Sequence, residues 1–188
     1  MNTKWLLLLA LPALATAPLS AKDEPSDKGK ATERQRERAA EENKDKARDA
    51  WQKDGKKLKG DELESMEGLY QKANENPRTP ENQELLKQVI EKYPKSNRAG
   101  CAACYIGQFS RDPDESREYL EMAIKEYSDC YYLNGTSVGG WARLLLAGKE
   151  KQRGDAAKAK KLMEEIRKDY ATATDHRGEL LVNFLDKE

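Results

Sequence analysis

Histidine is almost missing from this chain: His176 is the only one in 188 residues, and cysteine occurs three times. A zinc or similar centre needs several His, Cys or acidic side chains at ligand spacing. No such cluster is present, so neither a metal nor a cofactor is expected. Charge of one sign is also lacking, since 34 basic residues balance 34 acidic ones. Nucleic acid would call for a basic stripe, so it is not an expected partner, and an acidic membrane surface has nothing to attract it. Phenylalanine occurs twice and hydrophobic residues make up 37 %, which is low for a compact enzyme but ordinary for thin helical layers. There is no glycine-rich phosphate loop and no nucleophile elbow. The chain is expected not to be an enzyme.

What is present begins with a short apolar run. Lys4 precedes Trp5-Leu6-Leu7-Leu8-Leu9-Ala10-Leu11-Pro12-Ala13-Leu14, and the small-residue stretch Ala15 to Ala21 follows. Charged start, short apolar centre and small-residue exit make up a secretory signal. The run is too short for a spanning helix, which needs ~20 apolar residues, and no later segment comes close. Cleavage is expected after Ala21, because Pro18 would hinder cutting after Ala17. No cysteine stands nearby to accept a lipid. The mature chain, of net charge about −1 once Lys4 is removed, is expected to be periplasmic or secreted, without a transmembrane helix.

Residues 22–60 form a charged, low-complexity arm, with 23 of 39 residues Asp, Glu, Lys or Arg. Its apolar residues are five alanines, Trp51 and Leu58. So little apolar surface cannot offset the entropy of ordering. The arm is therefore expected to be partly disordered, or a solvated helix supported by pairs such as Glu42/Lys46. No heptad is sustained, so a coiled coil is not expected.

The pattern changes at Asp61. Leu63, Met66, Leu69, Tyr70 and Ala73 recur at three- and four-residue spacing, which predicts an amphipathic helix. Asn76-Pro77 ends it, and Thr79-Pro80-Glu81 opens the next with Thr as N-cap and Pro at the first helical position. Three segments then share a design and close on Tyr93, Tyr127 and Tyr170. Four residues before the tyrosine stand Val89, Ala123 and Ile166; seven before, Leu86, Leu120 and Met163. Tyr93 to Tyr127 is 34 residues and Tyr127 to Tyr170 is 43. A further helix is predicted after each, over Arg98–Phe109, Gly139–Gln152 and His176–Leu185. Helix pairs repeating at this period bury their apolar faces by stacking on one another.

Tyr93-Pro94-Lys95-Ser96, followed by Ala99, Ala102-Ala103, Tyr105 and Ile106-Gly107, carries a specific resemblance. Gly107 falls 13 residues after Pro94. The chain resembles tetratricopeptide-repeat proteins. Within that family it is similar to the exported bacterial group that includes the Tol-Pal-associated cell-division coordinator and the outer-membrane assembly lipoproteins. The match runs from about Asp61 to Leu185. It departs at Ile166, at Leu146-Ala147 in place of Leu-Gly, and at Tyr127-Ser128-Asp129, which lacks Pro and leads into a long Tyr131–Gly140 connection. The resemblance implies an all-α fold in which residues 61–188 form antiparallel helix pairs stacked as a short right-handed solenoid, after the signal (1–21) and the arm (22–60). It also implies a concave groove for peptides or partner helices, and the family's register puts Gln108, Arg111, Trp141 and Lys151 on that face. Trp141 has a second reading as core.

Cys101-Ala102-Ala103-Cys104 leaves three readings open: a redox pair, a structural disulfide, or small packed side chains. The first turn of the helix that starts near Arg98 is expected beside the end of the helix closed by Tyr127. That placement predicts a Cys101–Cys130 bridge, with Cys104 packed and reduced. His176 is expected to face solvent or cap a helix, and Asn134-Gly135-Thr136 to form a turn. The expected function is a scaffold that binds a protein or peptide of the cell envelope. Two rivals stand beside it: a thiol-dependent or accessory component of an envelope enzyme using Cys101 and Cys104, and a spacer without a tight partner.

Overall fold

Regular structure in residues 27–185, which the computed structural model describes, is helical throughout. Its elements are α1 (Asp27–Lys57), α2 (Asp61–Asn74), α3 (Pro80–Lys92), α4 (Asn97–Phe109), α5 (Pro113–Glu126), α6 (Val138–Arg153), α7 (Ala156–Asp169) and a 3-10 turn, η1 (Leu181–Phe184). The expected export signal, residues 1–21, lies outside the described residues. No described helix is long and apolar enough to cross a membrane.

Five helices start on side-chain caps that the sequence supplies. Thr79, Ser96, Asp112, Ser137 and Asp155 accept from the first-turn N–H groups of α3 to α7, each such cap being worth ~1 kcal/mol. The three closing tyrosines are C-cap residues with the same φ of −129°. From each of them the same turn follows: Ser96, Cys130 and Ala173 donate their backbone N–H to the carbonyls of Tyr93, Tyr127 and Tyr170, all at 3.0 Å.

Each helix from α2 to α7 packs on the next, and α4 also meets α2 and α6. The apolar stripes read from the sequence form the seam: Met66, Tyr70, Leu86, Val89, Leu120, Ala123, Leu162 and Ile166 are all buried. Gly107 sets the spacing of α4 and α5. A Cβ there would stand 2.6 Å from Leu120 Cγ and 3.0 Å from its backbone N, and the Ser116 hydroxyl of α5 donates to the Gly107 carbonyl.

Two expectations are corrected. The charged arm is not solvated on all sides, because α1 buries one face, made of Ala39, Asn43, Ala47, Ala50 and Asp54. That face runs along the connections between the other helices. The Asp54 carboxylate accepts from Asn97 N, at 2.9 Å to each oxygen. Asn43 donates to the Thr172 carbonyl at 2.8 Å, and Arg36 pairs with Glu179 at 2.9 Å. Alanine allows the close approach, and Asn43 and Asp54 supply the hydrogen bonds that buried loop backbone requires.

The second correction concerns His176–Leu185, which is not a continuous helix. Its first part turns back as a hairpin-like loop: Thr174 and Leu180 form an antiparallel bridge, and the Asp175 carboxylate accepts from Arg177 N and Glu179 N. Gly178 has a φ of +80°, which a continuing helix cannot contain. Only η1 follows. The loop repeats the one before α6, where Tyr131 bridges Ser137 and Gly135 has a φ of +94°, each position 43 residues earlier.

Asp54→Ala is expected to destabilise the protein by about 1–3 kcal/mol, since it leaves the start of α4 without its acceptor. Asp54→Asn, which keeps one, should cost less. Burial pushes the Asp54 carboxyl up from its ordinary value of 3.8, so the fold holds its proton more tightly than the unfolded chain does. The stability that this proton contributes is therefore lost as pH rises from about 3.8 through the raised value. Urea unfolding across that range should show the decline in the native chain and a flatter profile in Asp54→Asn. In the same assay Gly107→Ala should destabilise by about 1–3 kcal/mol through overpacking. Gly148→Ala should stabilise by up to about 1 kcal/mol, because a Cβ on that α6 residue meets nothing within 4 Å.

Candidate functional site

The C-terminal half of α4 carries Tyr105, Gln108 and Phe109 on one face, and the first turn of α6 brings Trp141 against them. The connection before α6 adds Tyr132, Asn134 and Thr136, and the following connection adds His176. Together these residues line an open cavity of about 290 Å³, near the lower end of the ~300–1,000 Å³ usual for ligand sites.

Aromatic rings make up most of the wall. Tyr105 and Tyr132 lie with centroids 5.0 Å apart, Tyr105 and Phe109 at 6.0 Å, and His176 meets the Trp141 ring nearly edge-on at 6.2 Å. Burial raises the phenols of Tyr105 and Tyr132 above their ordinary range, so both stay neutral. The Tyr132 hydroxyl is engaged, donating to the Cys101 carbonyl at 3.2 Å. No acidic, lysine or arginine side chain lines the cavity. The nearby cation is Arg78, whose guanidinium lies 5.1 Å over the Phe109 ring.

The polar groups are arranged asymmetrically. Trp141 Nε1 donates to Gln108 Oε1 at 3.3 Å, which uses the amide oxygen and leaves the Gln108 NH2. Asn134 Oδ1 accepts from Thr136 N at 3.1 Å, which again leaves an NH2 group. The Thr136 hydroxyl is buried and has no partner, a costly state for a polar group unless a ligand or water meets it. The turn that carries these residues is held from behind. A Cβ on Gly135 would stand 3.0 Å from the Lys44 backbone N of α1, so α1 presses directly on the turn.

Of the four residues that the resemblance put on a binding face, Gln108 and Trp141 are therefore joined by a hydrogen bond in one cavity. Trp141 also packs against two buried clusters, so its anchor and core readings describe two edges of one ring. Arg111 is exposed in the connection after α4, and Lys151 is exposed in the last turn of α6. Neither lines the cavity, because ten residues of helix put Lys151 about 15 Å along α6 from Trp141. The sequence reading missed Tyr105, Phe109, Tyr132, Thr136 and His176 as wall residues. The density of tyrosines before Asn134-Gly135 was the available signal.

The Cys101–Cys130 bridge is also corrected, since all three cysteines are free thiols. Cys130 does lie at the start of α4, but its Sγ fills the space beside Gly100, 2.7 Å from where a Cβ would be. The Cys101 thiol turns instead to the Tyr131 carbonyl at 3.5 Å. Burial raises the Cys101 thiol well above its usual range despite the opposing charge of Arg98. It pushes Cys104 and Cys130 up to about 12. The Arg98 charge is itself held by Glu67 through two bonds of 2.6 and 2.9 Å.

With a pKa near 12, on the order of one thiol in ten thousand is ionised at about pH 8. Titration of the native protein with a thiol reagent should therefore show negligible reaction of Cys101 and Cys104. Only half-buried Cys130 should react slowly, and all three should react at once on unfolding. Among the described residues no group of His, Cys, Asp and Glu is placed to hold a metal ion. Compared with models of protein families, with curated proteins and with solved structures, the chain finds no match.

Proposed function

We propose that the chain is a non-catalytic adaptor of tetratricopeptide-like build, which docks an extended segment of a partner protein in the cavity between α4 and α6. The observation that carries this reading is the Trp141–Gln108 pair in an uncharged, aromatic-walled cavity beside an unpartnered Thr136 hydroxyl. A large rigid ring flanked by amide groups is the usual composition of a binding hot spot. Support for a short right-handed solenoid comes from the Tyr-closed helices α3, α5 and α7 and from the like turns that follow them. The partner proposed is a protein or peptide of the cell envelope, reached in the periplasm or outside the cell. That location rests on the Lys4–Ala21 pattern alone.

The thiol-enzyme reading is disfavoured because a nucleophilic cysteine must ionise near neutral pH, whereas burial raises all three thiols here. The spacer reading gives no account of a buried hydroxyl left open to a cavity.

Selection of peptides from a displayed library against the full chain, followed by calorimetric titration, tests the proposal. Selected peptides should lose about ten-fold or more in affinity on Trp141→Leu and on Gln108→Ala, and should be indifferent to Lys149→Ala on the far part of α6. Gln108 is half-buried and at the cavity, so its variant provides a folded comparison should Trp141→Leu loosen the core. Equal affinity for all four proteins, or no peptide selected, would remove the reading.

A further inference from the structure

The hydrogen-bonding inventory of the cavity narrows the kind of segment it takes. Both amide oxygens in the wall already accept a hydrogen bond, Gln108 Oε1 from Trp141 and Asn134 Oδ1 from Thr136 N. What they leave to a ligand is N–H: two hydrogens on Gln108 and two on Asn134. The buried Thr136 hydroxyl adds an O–H without a partner. The cavity is therefore rich in donors and poor in unused acceptors, and a matching ligand has the opposite balance.

An ordinary peptide does not have that balance, since every residue presents one N–H for each carbonyl. A run of prolines does: it keeps the carbonyls and has no N–H. Saccharides fit less well, because each hydroxyl brought into the cavity is itself a donor in need of an acceptor. Charge separates the remaining classes. No acidic, lysine or arginine side chain lines the wall, so a carboxylate, phosphate or ammonium group would be desolvated without a counter-charge. A cation attracted to the rings would also meet Arg78 stacked on Phe109 at 5.1 Å.

Shape agrees with this balance. Flat rings of Tyr105, Phe109, Tyr132 and Trp141 surround a cavity of about 290 Å³ open to solvent. Aromatic-lined grooves take polyproline II segments because the rings fill them and the ligand loses little entropy on binding. On these grounds, and building on the peptide-docking reading above, we infer that the cavity between α4 and α6 is a recognition site for an uncharged proline-rich segment in the polyproline II conformation. The prolyl rings stack between Trp141 and Tyr105, and the carbonyls accept from Gln108, Asn134 and Thr136.

The test uses the full chain, isotopically labelled for NMR, and blocked decaproline as probe, with a Gly-Ser peptide of equal length and chitotriose as comparisons. Decaproline is expected to shift the indole N–H of Trp141 and the side-chain amides of Gln108 and Asn134, while neither comparison does. Asn134→Asp supplies the decisive variant. It keeps the Oδ1 that accepts from Thr136 N, and so the turn, but replaces the amide donor by a carboxylate that repels carbonyls. Affinity for decaproline should fall about ten-fold or more.

Silence of these signals with decaproline overturns the inference, as does unchanged affinity in Asn134→Asp or a chitotriose response at the same amides. The two readings fail separately. A library-selected peptide without proline that shifts Trp141 while decaproline does not would keep peptide docking and discard proline. No response to any peptide discards both.

Discussion

Buried backbone in the connections between helices must find hydrogen-bond partners away from water, and in this protein α1 supplies several of them. Its Asp54 carboxylate holds Asn97 N at the start of α4, Asn43 holds the Thr172 carbonyl, and its backbone at Lys44 lies against Gly135. One helix thereby touches the connections after Tyr93, Tyr127 and Tyr170. Alanine dominates its contact face because larger side chains would lift α1 away and break those bonds. The arrangement is polar, so its energy comes less from buried area than from leaving no donor or acceptor unmatched.

That constraint explains the relation between the connections. α4 begins four residues after Tyr93, whereas α6 and η1 begin eleven residues after Tyr127 and Tyr170. The extra residues make the two hairpin-like turns, each closed by an antiparallel bridge and a glycine of positive φ. A turn of this length carries backbone that neighbouring helices cannot satisfy by themselves. α1 meets both turns, at Gly135 and, through Arg36, at Glu179. The helical body and α1 are thus coupled through the turns.

Much of the helical body was legible in the sequence, and for identifiable reasons. Period-3.6 stripes such as Met66-Tyr70-Ala73 and Leu86-Val89 point to buried faces, and Thr79-Pro80 and Ser96 mark helix starts with their own chemistry. Gly107 was readable as a close approach, and it is one. The burial of α1 was not legible. Its inner face is alanine with one Asn and one Asp, and these residue types read equally well as solvated surface until their loop partners are known. The turn at residues 173–180 was hidden for a similar reason. Asp175, Gly178 and a bridge between Thr174 and Leu180 define it, and none gives an apolar period. Gln108 and Trp141 came from family register, whereas Tyr132, Thr136 and His176 depend on how the long connections fold back, which short-range pattern does not encode. The thiol pairing failed on orientation: proximity of Cys130 to the start of α4 was right, yet the Cys101 side chain turns to the Tyr131 carbonyl.

The candidate site lies where the chain departs most from regular helix-pair spacing. The extra residues after Tyr127 supply Tyr132, Asn134 and Thr136 to the cavity, and those after Tyr170 supply His176. Regular pairs alone would offer only Tyr105, Gln108, Phe109 and Trp141, a shallow aromatic face without Asn134 or the Thr136 hydroxyl. Local departures that serve no packing need mark functional positions in folded proteins. The Thr136 hydroxyl is such a case. It is buried beside a cavity with nothing to bond, on a turn held in place from the other side by α1. A side chain that only filled space there would be valine, which has the same shape without the cost of an unmatched hydroxyl. Threonine at this position is accounted for by a ligand group that completes it.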